Sequence, residues 1–271
     1  MYNVTTIGIV ISMVLLSPLL LNQETHAKPV VFGADFDCSK GLNTLKAIKN
    51  TGLLFLGGGD YWYQTKKSCV ETFANVLKSI SPKYMIIGNH EFDVKSLAKL
   101  YEQISGISKS AYWKVTVDGT LYIGTNVYNK FDVGSNQYKK VEQWLSGYHG
   151  KRIVVLVHTP PFAPDATEAG GGHNPNNKFR KAYEPLFQKY GVDLVLSGDD
   201  HIFAVEDTAG TDYVICGIGG KGGDTLSSPK PFDYAAIGPK GFCTFEFLND
   251  DLIKLQQMDS NGQLVRAFNL N

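Results

Sequence analysis

The sequence predicts an α/β protein, and three observations carry that prediction. Short apolar runs alternate with segments whose apolar residues recur at helical spacing, which is typical of strands paired in parallel through helical crossovers. Beyond residue 201 the pattern becomes mainly strand-like. The 271-residue chain is 43% hydrophobic, which is enough for a sizeable core. With no internal repeat and no long linker, we predict a single domain over residues 28–271.

The segment before this domain predicts export. Residues 7–21 are almost wholly apolar, and 15 residues are short for a membrane span, which needs about 20. They suit the apolar region of a signal peptide, and Thr25-His26-Ala27 offers a small-residue cleavage site. Residues 1–6 lack Lys and Arg, so an uncleaved anchor is the alternative. We therefore predict a signal peptide or anchor over 1–27, and a secreted or extracytoplasmic domain.

The first half of the domain repeats a strand-then-helix unit. Apolar residues 30–32 predict a strand, and near-helical spacing over 42–48 predicts a helix that Ser39 would cap. Residues 53–56 predict a second strand. Residues 70–80 predict a helix with one buried face. A third strand is expected to end at Ile87, and a further helix is expected over 94–103.

The second half begins with a hairpin and ends in strands. Asp118-Gly119 lies between two strand-like runs, a good hairpin signal. A helix around 138–145 leads to a strand over 153–157. Residues 164–178 are expected to form a loop, followed by a helix over 179–190 that is bent or restarted at Pro185. A strand over 192–196 follows. The final segments are predicted strands over 213–216, 241–247 and 252–258, with one more after a turn at 259–262.

Five of the predicted strands have polar residues directly after them. Strand ends on one edge of an open α/β sheet lie close together, and ligands bind there. The side chains offer oxygen and imidazole donors, which suit hard or borderline metals. In chain order they are Asp35 and Asp37, Asp60 to Tyr63, Asn89 to Glu91, His158, and Asp199 to His201.

These blocks, in this order, resemble the calcineurin-like metallophosphoesterases. The matching segments are Asp35, Gly59-Asp60-Tyr61-Trp62-Tyr63, Gly88-Asn89-His90-Glu91, Val157-His158 and Gly198-Asp199-Asp200-His201. Tyr63, three residues after Asp60, is similar to the tyrosine of the purple acid phosphatase branch, where a tyrosinate binds ferric iron. The resemblance covers nearly all of the chain after residue 28. It implies a four-layer αββα sandwich, in which two mixed β-sheets are flanked by helices.

The resemblance also implies roles for individual residues. Asp35, Asp60, Tyr63 and His201 match the ligands of a first metal, Fe³⁺ in this branch. Asn89 and His158 match ligands of a second, divalent metal (Fe, Zn or Mn), and Asp60 matches the carboxylate that bridges both. His90 matches a histidine near the substrate and its leaving group. His173 is similar to a further substrate-contacting histidine, so Asn89, His90 and His173 are the expected substrate-binding residues, and Asp60, His90 and His173 the expected catalytic ones.

The activity so implied is that of a secreted dimetal phosphatase. A metal-bound hydroxide would attack the phosphorus of a phosphate monoester, and His90, with His173, would protonate the leaving oxygen. The same site residues would also suit a phosphodiesterase or a nucleotide hydrolase, and the motifs do not separate these alternatives.

Two positions depart from the family pattern. The last block normally begins with a histidine that binds the second metal, and Asp199 stands there instead. A carboxylate can ligate iron, zinc or manganese, so we expect either an altered metal preference or a weakened site. A catalytically weak relative that binds metal or phosphate is therefore a further alternative. Asp37 stands where the branch has glycine, either as an extra acceptor or as a turn residue.

The charge composition limits the classes of partner that we expect the protein to bind. The formal net charge is zero and the pI is about 7.0, so no net basic field attracts a nucleic acid polymer or an anionic membrane. A small phosphorylated substrate fits this balance. No stable membrane partner is expected unless the N-terminal segment stays attached.

Four cysteines are present, and none forms a C-x-x-C pair, which argues against a zinc knuckle. In an exported protein two disulfides can form. Cys216 and Cys243 both lie on predicted strands and are the favoured pair. Four buried free thiols are the alternative.

Overall fold

The structure is a computed structural model that describes residues 28–63, 66–150, 152–164, 166–168, 171–208, 210–222, 224–226, 233–249 and 252–271. The predicted signal segment, residues 1–27, lies outside the described residues. Within the described ranges, no helix is both long enough and apolar enough to span a membrane.

Strands and helices alternate along the first two thirds of the chain, and strands dominate the remainder. In chain order the elements are β1 (Val30–Gly33), α1 (Leu42–Thr51), β2 (Leu54–Gly57), α2 (Lys67–Ser79), β3 (Lys83–Met85), α3 (Asn89–Asp93), α4 (Lys95–Ser105), β4 (Trp113–Val117), β5 (Thr120–Gly124), α5 (Asn136–Ser146), β6 (Arg152–Leu156), β7 (Ala166–Glu168), β8 (Gly171–His173), α6 (Asn177–Tyr190), β9 (Leu194–Ser197), β10 (Phe203–Thr208), β11 (Thr211–Cys216), β12 (Asp224–Leu226), β13 (Tyr234–Ala236), β14 (Gly241–Phe247), β15 (Ile253–Asp259) and β16 (Leu264–Leu270).

Within the described residues, the strands form two large mixed sheets and one small sheet. The first sheet has the order β16-β15-β14-β1-β2-β3, in which β1, β2 and β3 are parallel. The second has the order β13-β10-β11-β9-β6-β5-β4, in which β5, β6, β9 and β11 are parallel. The third consists of β12, β7 and β8. The two strands β7 and β8 correct the expectation of a plain loop over 164–178.

Three apolar clusters give the molecule four layers. The largest includes Phe32, Leu156 and Phe245 and lies between the two large sheets. A second joins the outer face of the first sheet to α1, α2 and α4, and a third joins the outer face of the second sheet to α5 and α6. Strands buried on both faces read as continuous apolar runs, which is why the sequence revealed them. The predicted αββα sandwich is confirmed.

Both cysteine pairs form disulfides in this structure. Cys216 on β11 is bonded to Cys243 on β14, so this bond links the two large sheets. Cys38, just beyond β1, is bonded to Cys69 in α2. The favoured Cys216–Cys243 pair is confirmed, and the alternative of four free thiols is wrong.

Two local expectations, the Ser39 cap and a restart at Pro185, differ from the structure. Ser39 does not cap α1, whose N-cap is Gly41, and the Ser39 hydroxyl instead donates to the carboxylate of Asp37. Helix α6 is not restarted at Pro185 and runs unbroken from Asn177 to Tyr190. Phe179 and Tyr183 stack within it at 4.2 Å between ring centroids, and this packing offsets the hydrogen bond that proline removes.

Candidate metal centre

The polar segments meet at one edge of the sandwich, which we call the site edge. It lies at the carboxyl ends of β1, β2, β6 and β9, where the parallel register brings Gly33 beside Gly57 and Leu156 beside Leu196. Hydrogen bonds that join the sheets at this edge include that from the N–H of Asp199 to Asp35 Oδ2, at 2.9 Å, and that between His158 Nδ1 and the Gly58 carbonyl oxygen, at 2.8 Å. The convergence predicted from sequence is therefore observed.

The first group of side chains contains Asp35, Tyr63 and His201. The hydroxyl of Tyr63 donates to Asp35 Oδ1 at 2.8 Å and lies 2.8 Å from His201 Nε2. His201 Nε2 is itself 3.9 Å from Asp35 Oδ1. Asp35 is fully buried and His201 is 4% exposed. A phenol, a carboxylate and an imidazole therefore face one another, and of the three only the phenol of Tyr63 is partly exposed.

The second group is centred on His158. Its Nε2 lies 3.1 Å from Asn89 Oδ1, 3.4 Å from Asp60 Oδ1 and 3.5 Å from Asp199 Oδ1. The Gly58 carbonyl can accept only, so we assign the proton of a neutral His158 to Nδ1. Nε2 then directs a lone pair toward three oxygen atoms. A cation bound among these four atoms would satisfy all of them.

Asp60 lies between the two groups. One donor atom each from Asp35, Asp60 and His158 falls within 4.8 Å of the others. Since Asp35 belongs to the first group and His158 to the second, the Asp60 carboxylate reaches both. Oxygen and imidazole donors in this arrangement fit a pair of metal ions.

The backbone at this edge adopts an uncommon conformation. Asp35, Asp60 and Asp199 have φ of 61°, 53° and 66°, in the left-handed region. Aspartate and asparagine tolerate that region better than most residues, and such strain clusters at functional sites. Gly88 is required for close approach, because a Cβ there would lie 2.0 Å from Asp60 Oδ1.

The pKa shifts of the buried groups at the site edge indicate that negative charge there exceeds positive charge. Burial raises the pKa of Asp35 well above its usual value, and the charges of Asp60 and Asp199 add to this. Burial also raises the pKa of Tyr63, followed by the effect of Asp35 and Asp60. Burial opposes a charged His158, but Tyr128 and the nearby carboxylates outweigh it and raise the pKa of His158. A bound cation would lower the pKa of all three groups.

His90 lies at the mouth of the site. Its Nε2 is 3.8 Å from Asp60 Oδ2, and its side chain is 34% exposed. Its ring centroid is 4.1 Å from that of Tyr63, so the imidazole lies beside the first group and faces outward. His173 is the last residue of β8, and the structure does not describe its side chain. Its proposed substrate contact stays a prediction.

Glu91 has a role that sequence reasoning did not assign, although it closes the Gly88–Glu91 block. Its carboxylate is fully buried and accepts four backbone N–H groups, from Asp60, Tyr61, Trp62 and Gly88. Burial raises the pKa of Glu91 to about 8, and Asp60 adds to this, while the N–H donors favour the charged form. Glu91 thus joins the segment after β2 to the segment after β3.

Lys221 is a second residue that the sequence did not single out. Its Nζ lies 5.0 Å from the ring centroid of Tyr63, and its backbone N–H donates to the Asp35 carbonyl at 2.9 Å. Residues 217–222, the described part of a glycine-rich segment, therefore pack against the end of β1. Asp37 accepts from Ser39, which agrees with its interpretation as a turn residue.

Comparisons with known proteins identify a family and a fold. The family model described as calcineurin-like phosphoesterase matches residues 31–203. Purple acid phosphatase 15 of Arabidopsis thaliana is 24% identical over 222 residues, which cover 71% of this chain and 39% of that protein. The chain therefore spans well under two thirds of that relative.

Two of the solved structures that share the fold illustrate the similarity to this chain. The purple acid phosphatase PPD1 from yellow lupin (Lupinus luteus) seeds superposes with a TM-score of 0.74 at 16% identity, over 89% of this chain and 53% of that chain. GAP50, the anchor in the inner membrane complex of Plasmodium, superposes with a TM-score of 0.64 at 16% identity, over 90% of this chain and 88% of that chain.

Proposed function

The chain belongs to the calcineurin-like phosphoesterase family, and we propose that it is a dimetal phosphatase that hydrolyses phosphate monoesters. The observation that carries the proposal is the convergence of donor atoms on Asp60. Its carboxylate is 3.4 Å from His158 Nε2 and is grouped with Asp35 and His158 within 4.8 Å. A single carboxylate near two donor groups is what a pair of bridged cations requires.

In this proposal each group of side chains holds one ion. Asp35, Tyr63 and His201 would hold the first, and Fe³⁺ suits a site with a phenol donor. Asn89, His158 and Asp199 would hold a divalent ion, and Asp60 would contribute to both. When bound, such a pair neutralises phosphoryl charge and lowers the pKa of a coordinated water.

The remaining chemistry belongs to side chains at the mouth. His90 is partly exposed and lies 3.8 Å from the Asp60 carboxylate, so it is suited to hold a proton and give it to the leaving oxygen. Lys221 brings an ammonium group beside Tyr63, where it would attract an anionic substrate. His173 is proposed as a further substrate contact.

We also propose that the protein works outside the cytoplasm. The apolar segment at residues 7–21 and the two disulfides support this proposal, because disulfides persist in oxidising compartments.

The test is hydrolysis of p-nitrophenyl phosphate by protein loaded with Fe³⁺ plus Mn²⁺ or Zn²⁺. We expect Asp60→Asn to lower the rate by about 10³-fold, since several kcal/mol of charge stabilisation depend on both ions. Asparagine tolerates the left-handed backbone of residue 60, so the change removes charge without forcing a new turn. Asp118→Asn is the matched control, because Asp118 also has a positive φ of 48° and lies in the β4–β5 turn.

Hydrolysis of the diester bis(p-nitrophenyl) phosphate distinguishes the phosphodiesterase alternative from the monoesterase proposal. Faster hydrolysis of the diester than of the monoester would reject the monoesterase proposal. Folded, metal-loaded protein without turnover on either substrate would instead favour a binding protein. That second candidate is supported by the carboxylate at residue 199, and the fold is compatible with it, since GAP50, described as an anchor, shares the fold.

A further inference from the structure

The two groups of the metal centre offer different donors. The first contains one phenol, one carboxylate and one imidazole, from Tyr63, Asp35 and His201. The second presents three oxygen atoms around a single nitrogen, His158 Nε2, at 3.1 to 3.5 Å. Two of those oxygens belong to carboxylates, Asp60 and Asp199. The second group is therefore rich in oxygen and in negative charge.

We propose that Asp199 is a specificity-determining residue that makes the second group favour a hard divalent cation, such as Mn²⁺, at the expense of Zn²⁺. The inference rests on the proposed dimetal site. Carboxylate and carbonyl oxygens suit Mg²⁺ and Mn²⁺, whereas imidazole suits Zn²⁺. Zn²⁺ also favours tetrahedral sites with nitrogen or sulfur ligands, and His158 supplies one nitrogen.

Backbone hydrogen bonds hold the main chain of Asp199 in place. The N–H of Asp199 donates to Asp35 Oδ2 at 2.9 Å, and the N–H of Gly198 donates to the His158 carbonyl at 3.0 Å. These bonds tie the segment after β9 to both neighbouring site segments. The Asp199 side chain is 15% exposed, so its oxygen is directed inward without being closed off from entering ions. A ligand held in this way contributes its chemistry without a large ordering cost.

His158 gives the second reason for a cation at this point. Its Nδ1 faces the Gly58 carbonyl at 2.8 Å, which leaves Nε2 as the atom that faces the three oxygens. Replacing Asp199 by histidine would change the donor set from one nitrogen and three oxygens to two of each. The metal preference of the second group should therefore shift from Mn²⁺ toward Zn²⁺.

The test measures metal affinity rather than activity. Full-chain protein carrying one equivalent of Fe³⁺ is titrated with Mn²⁺ or Zn²⁺ against a competing chelator. The ratio of the two dissociation constants, Kd for Mn²⁺ over Kd for Zn²⁺, is compared between wild type and Asp199→His. We expect the ratio to rise by about tenfold in the variant, the scale on which changes around a metal site act. Asp118→His, an equivalent exchange in a remote left-handed turn, should leave the ratio unchanged.

Asp199→Asn provides a second variant in case histidine disturbs folding, which circular dichroism would reveal. It keeps an oxygen donor and removes the charge, so Mn²⁺ binding should weaken more than Zn²⁺ binding. An unchanged ratio in folded Asp199→His, or equal weakening of both metals in Asp199→Asn, would overturn the inference while leaving the proposed function standing. Failure of the wild type to bind any divalent ion would instead reject the dimetal site itself and this inference with it.

Discussion

The two edges of the sandwich both carry clustered aspartates, but with different neighbours. At the site edge Asp35, Asp60 and Asp199 lie among His158, His201 and Tyr63. At the opposite end of the strands, which we call the far edge, the cluster is Asp193, Asp207, Asp212 and Asp233. There Asp207 pairs with Asp212 across β10 and β11, and Asp233 Oδ2 accepts the N–H of Asp207 at 2.7 Å.

Both edges raise the pKa of a buried carboxyl group. At the far edge, burial and then Asp207, Asp233 and Asp193 raise the pKa of Asp212 to about 7. However, the far aspartates have no positive φ, and the groups of donor atoms within metal-binding distance that the described residues form do not include them. Clustered carboxylates alone therefore do not make a metal centre. The site edge adds imidazole and phenol donors and a backbone that brings the donor atoms together.

The largest effect on stability is expected where the site edge is held together. In Glu91→Gln the amide NH₂ would face two backbone N–H donors whichever way it is turned, because each carboxylate oxygen accepts two. We expect a loss of about 3 kcal/mol in the free energy of unfolding. Urea unfolding measures it. Glu71→Gln on the exposed face of α2 is the control, and equal losses in the two variants would contradict the role given to Glu91.

The second-largest expected effect is on metal affinity, and it distinguishes the first group of donor side chains from the second. Tyr63→Phe removes the oxygen that lies 2.8 Å from both Asp35 and His201, so Fe³⁺ affinity should fall by about 10- to 100-fold. The visible absorption of a phenolate bound to Fe³⁺ should disappear, while divalent binding at the second group changes little. Tyr61→Phe is the control, since its hydroxyl donates to the Ile86 carbonyl at 2.9 Å instead. Absorption that survives in Tyr63→Phe would exclude Tyr63 as the ferric ligand.

The smallest effect concerns the far edge and depends on pH. Because the pKa of Asp212 is about 7 when folded and about 4 when unfolded, the folded protein binds the extra proton between these values. Asp212 therefore reduces stability progressively as pH rises from about 4 to 7. Asp212→Asn should remove this decline and raise the free energy of unfolding at pH 8 by roughly 1–3 kcal/mol.

Urea unfolding at pH 5, 6, 7 and 8 tests this expectation, and activity should be unchanged. The difference between wild type and variant should grow with pH. If the two stability curves run parallel, Asp212 titrates normally and the comparison of the two edges loses its electrostatic basis.

The site edge could be predicted from the sequence because its donors lie at fixed short distances from strands that are recognisable on their own. Asp35, Asp60, His158 and Asp199 each follow an apolar run that is buried on both faces. The far edge could not be predicted in this way. Asp207 and Asp212 become neighbours only through the pairing of β10 with β11, and Asp233 joins them only through the pairing of β13 with β10.

By itself the sequence predicted an α/β domain, the order of the donor residues and Cys216–Cys243 as the favoured pair, and the family resemblance implied the αββα layering. The α/β prediction depends on hydrophobic periodicity, and the resemblance depends on side chains adjacent to strand ends. Only the tertiary structure decided that Glu91 binds four N–H groups, that Lys221 lies over Tyr63, and that Cys38 joins Cys69. These contacts bring together segments distant in the chain, and their geometry is set by the packing of two sheets and their helices, which no local pattern encodes.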